Sequence, residues 1–287
     1  MPYILLAVAF SVAVSVLLKL ARRTNVDILQ AVATNYVVAA ALAWWLLHAT
    51  PQAAQAALQS DATRAPLMLL GVFLPAIFLV LASSVRSAGI VRTDVAQRLS
   101  LFLSLAAAFL FFGDTLVPLK AIGIALALVA LLCMLWRRER SERVDRAGWL
   151  APLAVFAGFG AIDICFKLIA KAGASFGNAL FASFLIAMVL CWIAVLVRVA
   201  TRQAPLALRS LGFGVVLGFA NFANILFYVR GHQALPNNPS LVFASMNVGV
   251  VVLGAMVGAI GFKERLTPVN WLGVALAIAA IMIMTNP

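Results

Sequence analysis

FGDTLVPLKAIGIALALVA, residues 112–130, returns 150 positions later as FKERLTPVNWLGVALAIAA, residues 262–280. Phe112/Phe262, Leu116/Leu266, Pro118/Pro268, Gly123/Gly273, Ala125/Ala275, Leu126/Leu276, Ala127/Ala277 and Ala130/Ala280 are identical, and acidic Asp114 meets acidic Glu264. Each copy holds a short polar turn between long apolar runs, and about five such runs fit one repeat length. The chain reads as a tandem duplication. An odd number of membrane spans per repeat would make the second copy enter the bilayer upside down, the arrangement of inverted-repeat transporters.

Working outward, apolar runs occupy residues 3–20, 28–48, 67–86, 93–112, 119–136, 149–170, 177–198, 209–229, 240–262 and 268–285. Each is long enough to cross about 30 Å of hydrocarbon as a helix, and none alternates as a barrel strand must. The expected fold is an all-α integral membrane protein of ten transmembrane helices in two inverted five-helix repeats, 1–136 and 149–287. The charged stretch 137–148, RRERSERVDRAG, links them. A hydrophobic fraction of 65%, a charged fraction of 10% and a mean hydropathy of +1.09 exclude an ordinary soluble domain, in which charged residues make up about 25%. The leading Met1, Pro2 and Tyr3 carry no basic residue, so the first run reads as a retained helix rather than a cleaved signal.

The net charge of +12 sits in short loops and not on one basic face, which argues against nucleic acid. Of the 21 Lys and Arg, all but Arg64, Lys120, Lys167, Lys171 and Arg230 fall on one side of the expected topology. By the positive-inside rule that side, including 137–148, is cytoplasmic and both termini face outward. Cys133, Cys165 and Cys191 lie within apolar runs without ligand spacing and read as buried free thiols; no metal site and no cofactor are expected. No HExxH, GxSxG or phosphate loop is present, and no stretch could form a nucleotide-hydrolysing domain, so the chain is not expected to be an enzyme.

Polar residues inside a span are costly and tend to face a cavity or a partner. Asp163 and Lys167 stand i, i+4 in the sixth run with the acid first, the favourable order for an intrahelical pair. Lys19 and Ser15 occupy the corresponding places in the first run. Asn221, Asn224 and Tyr228 share one face of the eighth run, and Asn247, Gln97, Arg98, Asn35 and Tyr36 complete the polar set. Two uses fit the asparagines, lining a wet cavity or bridging helices, and the cavity is the preferred one. Arg98 has a structural alternative, pairing with Asp94. Gly214 and Gly218, Gly254 and Gly258, and Gly123 and Ala127 repeat small residues at four-residue spacing, which lets helices approach closely. Pro75 and the Gly158/Gly160 pair are kink candidates.

Taken together, these features resemble the drug/metabolite transporter superfamily, in particular its ten-helix EamA-like, rhamnose-transporter-like branch. The likeness rests on the turn closing each half, Gly113-Asp114-Thr115-Leu116 and Lys263-Glu264-Arg265-Leu266, and on the phrases at 29–39, 158–167 and 243–254. Asp114 replaces the usual Glu and Lys263 the usual Gly. The resemblance implies secondary transport of a small-molecule metabolite by alternating access, commonly export, in a bacterial-type inner membrane, by a monomer or homodimer in contact with lipid. Many relatives are drawn with cytoplasmic termini; the charge distribution here says the reverse. Substrate contact is expected at Asn35, Tyr36, Gln97, Arg98, Asn221, Asn224, Tyr228 and Asn247, and proton coupling at Asp163 and Lys167, with Lys19 as their counterpart. A flippase for a lipid-linked substrate and a non-transporting scaffold are the alternatives.

Overall fold

The computed structural model describes residues 2–88, 90–113, 117–135, 150–172, 176–261 and 267–285. Helices make up all the regular structure there: α1 (Pro2–Arg23), α2 (Ile28–Leu46), α3 (Pro51–Gln59), α4 (Asp61–Ala88), α5 (Ile90–Leu99), α6 (Leu101–Leu110), α7 (Pro118–Leu135), α8 (Leu150–Lys171), α9 (Phe176–Ala200), α10 (Leu208–Ala234), α11 (Pro239–Gly261) and α12 (Pro268–Thr285). Within the described residues each of the ten apolar runs falls mostly on helix. Among the described residues six helices are long and apolar enough to cross a membrane, within α2, α4, α8, α9, α10 and α11; the apolar parts of α1, α5–α6, α7 and α12 are shorter. Trp44, Trp45, Leu190, Ile193, Leu196, Val197, Trp271 and Met282 are exposed. So much uncovered apolar surface suits lipid rather than water.

Two departures from a ten-rod expectation have local causes. The run at 93–112 is divided at Ser100, whose hydroxyl donates to Gln97 O at 2.6 Å while its carbonyl accepts from Leu103 N at 3.0 Å, a tighter i+3 closure. The Ala/Gln-rich connection after α2 folds as α3 because Thr50 caps it, accepting from Ala53 N at 3.2 Å, and Pro51 starts it. Pro75 lies inside a continuous α4.

The chain packs as two compact units. The first comprises Met1–Val12, Val80–Asp163 and Arg230–Pro287; the second comprises Ala13–Leu79 and Ile164–Val229. Each draws on both sequence halves. In the first, α7 and α12 pack along their lengths and α11 lies against α6, α7 and α12. Ala127, Ala130, Ala277 and Ala280, the small residues repeated between the copies, meet in one buried cluster with Val248. Asn270 fixes the ends. It caps α12 reciprocally with Thr267, and its Nδ2 donates to Cys133 O, 3.1 Å away in the last turn of α7, so the two helices run antiparallel. Gly113, at φ +68, takes the left-handed conformation that favours glycine in the turn after α6. Asp114–Leu116, residues 136–149 and Phe262–Leu266 lie outside the described residues.

In the second unit α2 and α9 pack antiparallel, with α3 beside α9. At one end Thr50 N donates to Asn178 Oδ1 at 3.0 Å and Gly177 sits against Leu47. At the other, Arg198 forms a two-pronged contact with Asp27, at 3.3 Å to Oδ1 and 3.1 Å to Oδ2, and Asp27 also accepts from Gln30 N as the cap of α2. Gln30 is buried: its Nε2 donates to Pro205 O at 2.8 Å and its Oε1 accepts from Ala207 N at 2.9 Å. One side chain thereby satisfies two backbone groups of the loop before α10.

Candidate functional site

The second unit holds most of the expected polar set. Along α10, Gly214, Gly218 and Asn221 recur at helical spacing and face Ala31, Thr34, Asn35 and Val38 of α2. A Cβ at 214 would stand 2.5 Å from Ala31 O and 2.6 Å from Thr34 Cβ, and one at 218 would stand 2.6 Å from Val38 Cβ. The missing side chains bring the two backbones close enough for the asparagines to meet. Asn221 Nδ2 donates to Asn35 Oδ1 at 3.1 Å, with Asn35 fully buried. Asn221 thus links two helices, one of the two uses weighed for it. By contrast Gly254 has open space where a Cβ would be, so close approach does not account for that glycine.

Asn35 and Tyr36 present two further polar atoms, Asn35 Nδ2 and the Tyr36 hydroxyl, both buried and without a hydrogen-bond partner among the described residues. The Tyr36 ring lies 6.3 Å from that of Phe184, which in turn stands 6.3 Å from Phe222. Tyr228 is buried edge-on to Phe166, 5.9 Å between ring centroids, and Asn224 is half-buried. Lys167, only 3% exposed, is a buried cation of this unit.

Asp163, Asn247, Gln97 and Arg98 belong to the first unit. Half-buried Asp163, on α8, accepts from Ser104 Oγ of α6 at 2.7 Å. The helices touch one turn earlier as well, where a Cβ at Gly160 would stand 2.7 Å from Leu103. Gly160, an expected kink, is thus a contact point that fixes the distance between Ser104 and the carboxylate. Asn247 Nδ2 donates to Phe243 O one turn back on α11, at 3.1 Å. Gln97 and Arg98 are half-buried on α5, just before the break at Ser100. The side chains of Lys19 and Asp94 lie outside the described residues. Cys165 and Cys191 are buried and Cys133 half-buried, all three free. Among the described residues no group of three metal-ligating side chains occurs.

Sequence reading missed Ser104, Gln30 and His232. Ser104 is the only polar residue in α6, which is the signal that could have found it. His232 is buried at the end of α10 with its ring 4.7 Å from Phe243.

Fold and polar groups define an all-α protein with helices long and apolar enough to cross a membrane, carrying ionisable side chains inside them. No model of a known protein family matches the chain. It is 42% identical over 281 residues to an uncharacterized protein of Haemophilus influenzae, a match covering 97% of this chain and 95% of that one, and it belongs to the same family. A crystal structure of a protein with 15% sequence identity shares the fold over 100% of this chain and 99% of its own, at a TM-score of 0.69.

Proposed function

We propose that the chain is a secondary active transporter of the drug/metabolite transporter type, which moves a small polar or amphipathic metabolite across a bacterial-type inner membrane by alternating access and is coupled to protons through Asp163, with Lys167 as its partner. One observation carries the reading: α8, an apolar helix long enough to span, holds Asp163 in a cross-helix hydrogen bond and buries Lys167 one turn further on. A scaffold has no need of such groups, since each is expensive in lipid.

The ten-span, inverted-repeat architecture belongs to the same proposal. Helices of equal rank in the two halves pack together, α2 on α9 and α7 on α12, both antiparallel. The repeated alanines of α7 and α12 share one cluster. Equivalent helices meeting head to tail is what a two-fold axis across them produces. Asn35, Tyr36, Asn221, Asn224, Tyr228, Gln97, Arg98 and Asn247 are the proposed substrate contacts.

The test has two stages. Thermal-shift screening of the purified protein against amino acids, sugars, nucleobases, amines and prenyl phosphates identifies a compound that binds the folded state and raises its apparent stability. That compound is then followed in proteoliposomes under an imposed pH gradient. Wild type should concentrate it and Asp163→Asn, checked for folding, should not. Gradient-driven accumulation by Asp163→Asn would eliminate Asp163 as the coupling group. Stabilisation by prenyl phosphates alone would point instead to a flippase.

A further inference from the structure

The connection between α9 and α10, residues 201–207, joins two helices that are long and apolar enough to cross a membrane. A short link between two such helices lies where hydrocarbon gives way to water. Its outward side chains are of two kinds. Leu206 is 50% exposed, and Leu208, the first residue of α10, is 87% exposed. Arg202 and Arg209, exposed as well, flank them in the sequence. Leucines set this far out are unfavourable in water, by the same effect that buries leucine in a core.

The backbone gives these leucines little freedom to turn inward. Gln30 of α2 holds the groups on either side of Leu206, donating to Pro205 O at 2.8 Å and accepting from Ala207 N at 2.9 Å. Ser210, buried in the first turn of α10, accepts from Asp27 N at 2.9 Å. At the other end of the loop Arg202 takes the left-handed conformation, φ +56, and Gln203 N donates to Arg198 O at 2.8 Å, closing α9. Charge is arranged as firmly. Segments 19–30 and 198–213 meet at this end of the second unit, and Asp27 is the only acid in either. Arg198 engages both of its oxygens. Neither segment therefore offers a second carboxylate to Arg202 or Arg209, and α1 brings Arg22 and Arg23 to the same end.

We propose that the α9/α10 loop is a docking site for anionic phospholipid, in which Arg202 and Arg209 bind headgroup phosphates while Leu206 and Leu208 enter the acyl region. The inference needs α9 and α10 to span the membrane and nothing of what the protein transports. Guanidinium groups suit phosphate because they donate two parallel N–H bonds to it. Leucines beside them suit the adjoining hydrocarbon, so the two exposed kinds of side chain match the two layers of one lipid. Gln30 links this lipid contact to α2, since the loop cannot shift without breaking both of its hydrogen bonds.

The experiment uses the full chain, cysteine-free except for Leu208→Cys, which carries an environment-sensitive apolar fluorophore in the leucine's place. It is reconstituted in vesicles of phosphatidylcholine and phosphatidylglycerol, with one or the other lipid brominated on its acyl chains to quench nearby fluorescence. The label should be quenched, and brominated phosphatidylglycerol should quench it more strongly than brominated phosphatidylcholine at equal mole fraction. Each arginine should contribute about fivefold to this preference at low salt. Arg202→Asn, which tolerates the left-handed backbone, combined with Arg209→Gln should thus lower it by about 25-fold while the label stays quenched. If that variant does not fold, added salt should erase the preference of the unmutated arginines, because exposed charges are screened. A label that escapes quenching places the loop in water and overturns the proposal. Equal quenching by the two lipids, a preference that survives loss of both arginines, or one indifferent to salt overturns it too. None of these results depends on Asp163, so the transport reading is tested separately.

Discussion

Adding one methyl group at Gly214 tests the packing that brings Asn221 to Asn35. The new Cβ would stand 2.5 Å from Ala31 O and 2.6 Å from Thr34 Cβ, whereas ordinary contact begins near 3.4 Å. To admit it, α10 must retreat from α2 by about 0.9 Å at that level. The obstacle is backbone and a β-branched carbon, so no flexible side-chain tip can yield instead. Overpacking of this kind costs about 1–3 kcal/mol. The Asn221–Asn35 bond, 3.1 Å long, lies two turns further along α10 and would stretch toward the limit of hydrogen bonding, a loss of about 0.6 kcal/mol for an average interhelical bond in a membrane. Replacing glycine in a helix returns about 0.5–1 kcal/mol. The net expectation for Gly214→Ala is a loss of about 2 kcal/mol. Gly212, two residues earlier and with open space where a Cβ would go, supplies the control: Gly212→Ala should be neutral or stabilising by up to about 1 kcal/mol. Thermal unfolding in detergent, followed by tryptophan fluorescence, should place Gly214→Ala about 4–8 °C below wild type at about 2–4 °C per kcal/mol, and Gly212→Ala at or above it. Equal midpoints for the two alanine variants would refute the close approach of α10 and α2.

Gln30→Leu leaves Pro205 O and Ala207 N without their shared partner and should cost about 1–3 kcal/mol in the same unfolding assay. Arg198→Gln removes a partly exposed ion pair and should cost at most about 1 kcal/mol, with the wild-type advantage shrinking as salt is added. Asn224→Leu, checked for folding, should abolish binding of the compound found by screening, read as loss of its thermal shift; an intact shift would remove Asn224 from the substrate contacts. For orientation, Ser141→Cys in a cysteine-free background should resist an impermeant thiol reagent in intact cells while Gln52→Cys reacts, and the opposite pattern would reverse the topology.

Helical content and the position of nearly every helix were legible in the sequence because both depend on local hydrophobicity, which a run such as 177–198 displays without reference to the rest of the chain. The repeat was legible too. Its identities at Ala127/Ala277 and Ala130/Ala280 turn out to mark the surface on which α7 and α12 touch. The break at Ser100 was harder to see, since a single serine in an apolar run is compatible with a continuous helix until its carbonyl is seen closing on Leu103 N.

The individual polar residues were also visible, because a carboxylate or amide inside an apolar run stands out by composition alone. What the sequence could not supply was their pairing. Asn221 meets Asn35 across 186 positions, Arg198 meets Asp27 across 171, and Asp163 meets Ser104 across 59. Such partners are chosen by which helices pack, how closely, and at what rotation, and glycines at 214, 218 and 160 set those distances without announcing their neighbours. Sequence by itself determined that polar groups would lie within apolar helices. Only the tertiary structure decided that Asn221 would reach Asn35 and that the carboxylate of Asp163 would accept from Ser104, because a hydrogen bond needs two atoms within about 3 Å and no one-dimensional pattern encodes that separation.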